Sequence, residues 1–546
     1  MESLVTISKE IIYPTKFPLE INCCGFTFVL NGVVEVDASA PIATTDQVFL
    51  CATLDWWPPD KCDYGTCSWG TDSILNIDLT NPLLEKTLTE LAPLRIRLGG
   101  TLQDNVVYDV GNPVQPCLPI VLDSSAMLGF QGGCLTMERW TELNNLFSRT
   151  GTILAFGLNA MYNRKQVAPG VWGPWDSSNA LAFIQYTVAQ GFQQVQAWEF
   201  GNELTSYGVG TSISAQQYAE DAIELRRVIN SLYPADVPRP LLVAPDGFFE
   251  PVWFTAFLNA SGRGVVDAVT RHIYNLGPGV SNDLVSEILN PTILDNELWN
   301  FQSVKNILQT VAPWAAAWVG EAGGAFNSGH ALVTDAFVFS FWYLDQLGMA
   351  ASFDTKVYCR QTFIGGNYGL LNTTTFEPNP DYYSALLWNR LMGTTVLATK
   401  VAGAPYLRAY THCQKDTTTG GVTVLLINLS NTTVNVNVGI TAGTLTSNNE
   451  QDISASREGI FLSMARVHTP STPTRLEYHM TAPAQNLQSQ TVLLNGVELG
   501  LTPLGELPTL SPLATDNSTP VSVAPFSIAF AVLPNAGVLA CGTTAP

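Results

Sequence analysis

Positive charge is scarce in this chain. Only 25 of its 546 residues are Lys or Arg, against 46 Asp and Glu, so the formal net charge is −21. A surface this acidic repels phosphate and sulfate polymers. That excludes nucleic acid as a partner and disfavours a long anionic polysaccharide lying along an open groove. Charged residues of both signs reach only 13% while apolar ones reach 46%, a balance that excludes extended disorder. Histidine is rarer still, at five, and Cys62 and Cys67 lack the companion pair or histidines of a zinc site. No apolar run approaches the roughly 18 residues of a membrane span, so no integral membrane segment is expected. The sequence also has no strand–GxxxxGK(S/T)–helix, GxSxG or HExxH pattern, which leaves nucleotide, serine-hydrolase and zinc-protease chemistry without support.

What is present is apolar, aromatic and cysteine-bearing. The ten cysteines fit paired thiols of an oxidising compartment better than a metal site. Residues 111–133 read as a loop with Cys117 and Cys134 near its ends, and a disulfide closing it is expected. Sequons at Asn259, Asn372, Asn428, Asn431 and Asn517 point to a secreted glycoprotein. The first 30 residues make a poor signal peptide, because Glu2, Lys9, Glu10, Lys16 and Glu20 interrupt any apolar core.

Length suggests more than one domain. Between residues 48 and 397 strand and helix patterns alternate. Buried strands are expected at 94–98 (LRIRL), 152–157 (TILAFG), 196–200 (QAWEF), 240–244 (PLLVA) and 315–319 (AAAWV). Ser214 and Gln217 form a capping-box pattern, followed by Tyr218, Ala222, Leu225, Ile229 and Leu232 on one helical face. Repeated strand–helix units predict an α/β fold, a (β/α)8 barrel, with a doubly wound sheet as the alternative. After residue 398 the period changes to two: Val434, Val436 and Val438, then Phe526, Ile528, Phe530 and Val532. These predict an antiparallel β-sandwich. The expected division is an unassigned segment 1–31, a strand region 32–47 joining the sandwich, the barrel 48–397 and the sandwich 398–546.

Two glutamates carry the functional reading. Glu203 lies in WEFGNEL and Glu321 in AAAWVGEAGGAFNSG, each just past a strand-like apolar run and ahead of glycines. One such carboxylate alone reads as a cap or loop acid. A pair at barrel strand ends is what glycosidic bond cleavage uses, one as acid/base and one as nucleophile. Trp198 and Phe200 are expected to give Glu203 an apolar setting. Arg95 and Arg97, alternating on one strand, read as partners of buried acids, the catalytic ones possible among them. His272 reads as a satisfied barrel residue, and Gly99, Gly100, Gly365 and Gly366 as turn formers.

At these residues the chain resembles the heparanase-type glycoside hydrolases of family 79, in particular the plant heparanase-like group. The runs that carry the resemblance include FLCATLDWWPPDKC, LRIRLGGTLQDNVVYDVG, WEFGNEL, RHIYNLGPG, WVGEAGGAFNSG and VYCRQTFIGGNYGLL. The resemblance implies a barrel plus a sandwich built from both chain ends, and a retaining β-glucuronidase. Carried over, Glu203 resembles the acid/base and Glu321 the nucleophile. Asn202 resembles the residue bonded to the sugar 2-hydroxyl, and Asp55 and Thr101 match positions that hold sugar hydroxyls. From the residues alone Asp55 also reads as a turn cap. Tyr274 matches a tyrosine touching the nucleophile, and Gly366 and Tyr368 match the wall that recognises the C6 carboxylate. Asn327 and Ser328 stand where heparanase has glycines. The basic clusters that grip heparan sulfate are not visible, and the long excised linker of animal heparanases is missing. The expectation is exo-acting removal of terminal glucuronic acid from small glucuronides, such as flavone glucuronides, or from glycan side chains. An endo-glucuronidase and a non-catalytic carbohydrate-binding cell-wall protein are the alternatives. No cofactor or metal is implied. The implied location is the cell wall, apoplast or vacuole, and oligomeric state is left open.

Overall fold

The computed structural model describes residues 29–126, 129–205, 209–234, 236–441 and 474–542. A long strand, β1 (Val29–Thr44), belongs to a second sheet described below. The barrel follows it: β2 (Leu50–Leu54), β3 (Arg95–Leu98), β4 (Ile153–Leu158), β5 (Val195–Phe200), β6 (Leu241–Phe248), β7 (Ala268–Ile273), β8 (Ala316–Ala322) and β9 (Thr355–Arg360). These eight strands are parallel and neighbour one another in chain order, and β9 pairs back to β2 through Tyr358↔Leu50, Cys359↔Cys51 and Arg360↔Ala52. Closure selects the (β/α)8 barrel over the doubly wound sheet.

Alternation along each strand feeds two environments. Ala155, Ala197, Val243, Ala268, Trp318 and Val357 fill the barrel interior around the Cys51–Cys359 disulfide. On β3, Ile96 and Leu98 join the layer between strands and helices, while the Arg95 guanidinium lies 4.6 Å over the Trp318 ring inside. On β5, Trp198 and Phe200 also turn outward. Trp198 packs against Phe156 and Phe183, and Phe200 against Trp175 and Tyr218. They therefore belong to the outer layer and do not provide the apolar setting expected for Glu203. Helix α1 (Ala215–Leu232) presses Tyr218, Ala222, Leu225 and Ile229 onto this layer. Only half of its capping box forms: Ser214 Oγ accepts from the Gln217 backbone N–H at 3.3 Å, but the Gln217 amide donates to Asp221 instead of reaching back.

The second sheet holds β10 (Met392–Ala402), β11 (Leu407–Gln414), β12 (Val422–Asn428), β13 (Thr433–Thr441), β14 (Thr474–Thr481), β15 (Val521–Val523) and β16 (Ser527–Leu533) together with β1. β1 runs antiparallel to β10 and parallel to β13. The period-two recurrence of Phe526, Ile528, Phe530 and Val532 does not mark a solvent face in β16, which is buried along its whole length. Ile528 and Phe530 join the barrel's core while Ala529, Ala531 and Leu533 join a separate core with Val34, Val36, Val424 and Val436. The strand is sandwiched, so both of its faces are apolar.

Further disulfides join Cys62–Cys67, Cys117–Cys134 and Cys413–Cys541. Cys23 and Cys24 lie outside the described residues. One sequon is overturned. Asn428 is fully buried, and its amide nitrogen donates to the carbonyls of Thr432, Val523 and Ala524. No nitrogen is left for a glycan there. Asn259 and Asn431 are exposed, and Asn372 and Asn517 are half-buried. Among the described residues no helix is long and apolar enough to cross a membrane.

Candidate active site

The carboxyl ends of the barrel strands converge on one pocket of about 340 Å3. Asp55 follows β2, Thr101 follows β3, Asn202 and Glu203 follow β5, Tyr274 follows β7, Glu321 lies near the end of β8 and Gln361 follows β9. Asp55, Thr101, Glu203, Tyr274, Glu321, Asn327, Ser328 and Tyr368 all line the pocket. Asn202 lies in the buried layer beneath it, and Gly366 sits behind the Tyr368 ring, where an added Cβ would come within 2.9 Å of that ring.

Glu203 adopts a left-handed backbone conformation, φ 54°, which is strained for a residue with a side chain. Its backbone N–H donates to the Asp246 carbonyl at 2.8 Å, so the turn after β5 is pinned to β6. One carboxylate oxygen of Glu203, one of Glu321 and a ring nitrogen of His272 all lie within 4.8 Å of one another. Glu321 is clamped from two sides: the Tyr274 hydroxyl donates to Oε1, and Arg97 Nη1 donates to Oε2 at 2.7 Å.

Arg97 is the hub beneath the pocket. Besides Glu321 it donates to both oxygens of Glu199 at 2.9 and 3.1 Å, to Asn202 Oδ1 at 2.7 Å and to Asp246 Oδ2. Five donors in a fixed fork suit such a set. Burial pushes Glu199 up strongly, and although Arg97 opposes this, the adjacent Asp246 adds to it; Asp246 itself is held below the usual carboxylate range because Arg97 and His272 outweigh its burial. The Asn202 side-chain Nδ2 is buried and has no hydrogen-bond partner among the described residues. Its backbone N–H is fixed by Asp104 Oδ2 at 3.0 Å.

His272 is a buried barrel residue, as its sequence reading expects, and its two ring nitrogens face acids of the site. Its Nδ1 lies 2.8 Å from Glu203 Oε1 and its Nε2 lies 2.9 Å from Asp246 Oδ2. Burial disfavours its charge, but the negative Asp246 and Glu321 and its close contacts with Asp246 and Glu203 outweigh burial and hold it well above the ordinary imidazole range. His272, Glu203 and Glu321 are spaced like metal ligands, yet an imidazolium and the Arg97 and Tyr274 donors present N–H and O–H groups where a cation needs lone pairs.

Asp55 packs directly over Gly100, whose φ is 105° and whose absent Cβ would fall 2.5 Å from Asp55 Oδ2. It accepts from the Trp56 N–H at 2.8 Å and from the Gln361 amide at 3.1 Å. Burial, then the negative Glu321, raises Asp55 to about 7. Asp104 is raised to about 7 by burial alone. The opposite wall holds Ser328 and Tyr368. Ser328 Oγ donates to Asp63 and accepts from Trp69 Nε1 at 2.9 Å, while Asn327 Nδ2 donates to the Tyr64 hydroxyl at 3.1 Å. The side chains that replace glycines here are therefore tied back to the Cys62–Cys67 loop.

A second cavity, of about 790 Å3, shares the short helical turn Thr101–Asn105 with the first. Leu118, Phe130, Met161 and Trp172 line it with Gln115 and Gln166, and Asp104 is the one charged residue among its described lining.

These buried acids set a pH dependence of stability. The folded chain holds protons on Asp55 and Asp104 up to about pH 7, whereas unfolded Asp releases them near pH 4. Unfolding between these values releases protons, so stability falls as pH rises through this window. Glu477 acts oppositely: hydrogen bonds from His479, Arg475 and Thr515 outweigh burial and lower it to about 2, so its contribution is lost below about pH 4. Thermal unfolding from pH 4 to 8 is expected to give its highest midpoint at the acidic end, about pH 4 to 5, with a decline towards 8. A midpoint that climbs steadily to pH 8 would contradict this.

A closed parallel barrel with two facing glutamates at its strand ends defines the chain as a glycoside hydrolase. Its residues 31–348 match the N-terminal domain of glycosyl hydrolase family 79. It is 48% identical to heparanase-like protein 3 of Arabidopsis thaliana over 516 residues, which covers 94% of each chain. It is 37% identical to baicalin-beta-D-glucuronidase of Scutellaria baicalensis over 528 residues, again 94% of each. Among solved structures, a 4-O-alpha-L-rhamnosyl-beta-D-glucuronidase from Fusarium oxysporum 12S shares the fold, with a TM-score of 0.61 at 15% identity over 92% of this chain and 100% of that one. The chain belongs to glycosyl hydrolase family 79.

Proposed function

We propose that this chain is a retaining, exo-acting β-glucuronidase that releases terminal glucuronic acid from a small or uncharged aglycone. The observation that carries the mechanism is that one carboxylate oxygen of Glu203 and one of Glu321 lie within 4.8 Å of each other, which leaves little room for an intervening water. Retaining pairs stand about 5–5.5 Å apart, while inverting pairs need about 6.5–9.5 Å to admit a water. Glu321 attacks the anomeric carbon as the bond to the leaving oxygen breaks, and Glu203 delivers its proton to that oxygen. Glu203 then takes a proton from water, which attacks the glycosyl ester and frees Glu321 with the sugar's β configuration restored. Tyr274 and Arg97 hold the nucleophile's two oxygens. His272 orients Glu203, and Asn202 Nδ2 supplies a donor for the 2-hydroxyl.

The substrate reading rests on the 37% identity to baicalin-beta-D-glucuronidase and on the second cavity, whose described lining contains no Lys or Arg. That lining suits an apolar, hydroxylated leaving group better than a sulfated sugar. Four disulfides among the described residues support a secreted or vacuolar location. Paired assays of 4-nitrophenyl β-D-glucuronide and β-D-glucoside test the specificity. Selective glucuronide turnover is expected; a preference for the glucoside would overturn it.

A further inference from the structure

The pocket that would receive the sugar is lined by four acids, Asp55, Asp63, Glu203 and Glu321. A glucuronate adds a further negative charge to that set. Gly366 and Tyr368 carry no charge to offset it. Arg97 lies below and is consumed by Glu199, Asp246 and Glu321. Lys61 is the one cation among the described residues that line the pocket.

Its placement is specific. Lys61 immediately precedes the loop closed by Cys62–Cys67, and its ammonium sits 4.6 Å from the centroid of the Trp57 ring. It donates to Asp63 Oδ1 at 2.8 Å, and the other Asp63 oxygen accepts from Ser328 Oγ. Ser328 in turn holds the Trp69 indole, whose edge meets Tyr368 at 6.1 Å between centroids. Lys61, Ser328 and Tyr368 thus share one wall. An ammonium has three donors, and among the described residues Asp63 is its one hydrogen-bond partner. The side chain is 18% exposed, enough to meet a ligand and too little to be fully hydrated.

We infer that Lys61 adds the charged contact to the Gly366 and Tyr368 wall: its ammonium, steered by Asp63 and the Trp57 face, pairs with the C6 carboxylate and strengthens the preference for uronosides over neutral glycosides. This rests on the glucuronidase reading above. The disulfide loop would then be the device that holds a flexible lysine against the pocket rim, and its ties to Asn327 and Ser328 fix the loop from the other side.

The test compares kcat/KM for 4-nitrophenyl β-D-glucuronide and β-D-glucoside in the wild type, Lys61→Met and Lys61→Arg. Lys61→Met is expected to lower the glucuronide-to-glucoside ratio about 10- to 100-fold, the size of a hydrogen bond between charged groups, chiefly through KM. Lys61→Arg is expected to restore most of the ratio. Equal losses on both substrates would make Lys61 a prop for the Asp63–Ser328 wall and overturn the inference, as would an unchanged ratio. A wild type that prefers the glucoside would overturn the glucuronidase reading itself and take the inference with it, whereas a selective wild type with an equally selective Lys61→Met variant would overturn the inference alone.

Discussion

Replacing Glu321 with Gln is expected to abolish turnover, by about 10^4-fold or more in kcat, because the reaction loses its nucleophile and no neighbouring group replaces it. Glu203→Gln is expected to behave differently. A general acid contributes about 10^2- to 10^4-fold, and the loss depends on how much the leaving oxygen needs a proton. A 4-nitrophenolate leaves without one, so the first step should suffer little with that substrate and heavily with an alkyl glucuronide. Glu321→Gln should lose alike on both. Single-turnover rates on the two leaving groups check this split. Equal losses in the two variants on both substrates, or near-normal rates in either variant on the alkyl glucuronide, would sink the assignment of roles.

The second large effect is expected at Arg97. Its guanidinium is buried and bonded to Glu199, Asp246, Glu321 and Asn202. Arg97→Met keeps the approximate volume but leaves Glu199, Asp246 and Glu321 in a low-dielectric barrel with only the His272 imidazolium as a counter-charge beside them. Breaking a buried ion pair in this way costs about 3–5 kcal/mol. Arg97→Lys is expected to recover little, since one ammonium cannot replace a fork that spans four partners. The thermal midpoint is expected to fall in both variants, and activity is expected to fall further than stability because Glu321 loses one of its two clamps. An unchanged midpoint in Arg97→Met would show that the acids neutralise themselves without it.

Much of this was legible before any coordinates. The apolar runs ending at Leu98, Phe200 and Val319 have strand length, and glycine-rich turns follow them, so an α/β fold with Glu203 and Glu321 just past strands follows from pattern, while closure into a barrel rather than a doubly wound sheet does not. What pattern does not carry is which side of a strand faces inward. Trp198 and Phe200 looked like pocket residues because they flank the motif, but the parity of β5 puts Glu199 inside and both rings outside. His272 reads in sequence as a satisfied barrel residue, and the structure adds which groups satisfy it. Its contacts come from β5 and β6, about 70 and 26 residues away in sequence, and no local signal encodes them. Asp246 was missed for the same reason, although its place after PLLVA repeats the strand-end arrangement of the two glutamates. Asn428 shows the converse failure: its sequon is intact in sequence, but the fold consumes its amide.

The most direct measurement follows the first sugar released from a β-glucuronide by proton NMR, before mutarotation sets in. A retaining exo-β-glucuronidase releases β-glucuronic acid first, with the α anomer growing in later. Release of the α anomer first would contradict the double displacement, and with it the reading of Glu321 as a nucleophile held within 4.8 Å of its acid/base partner.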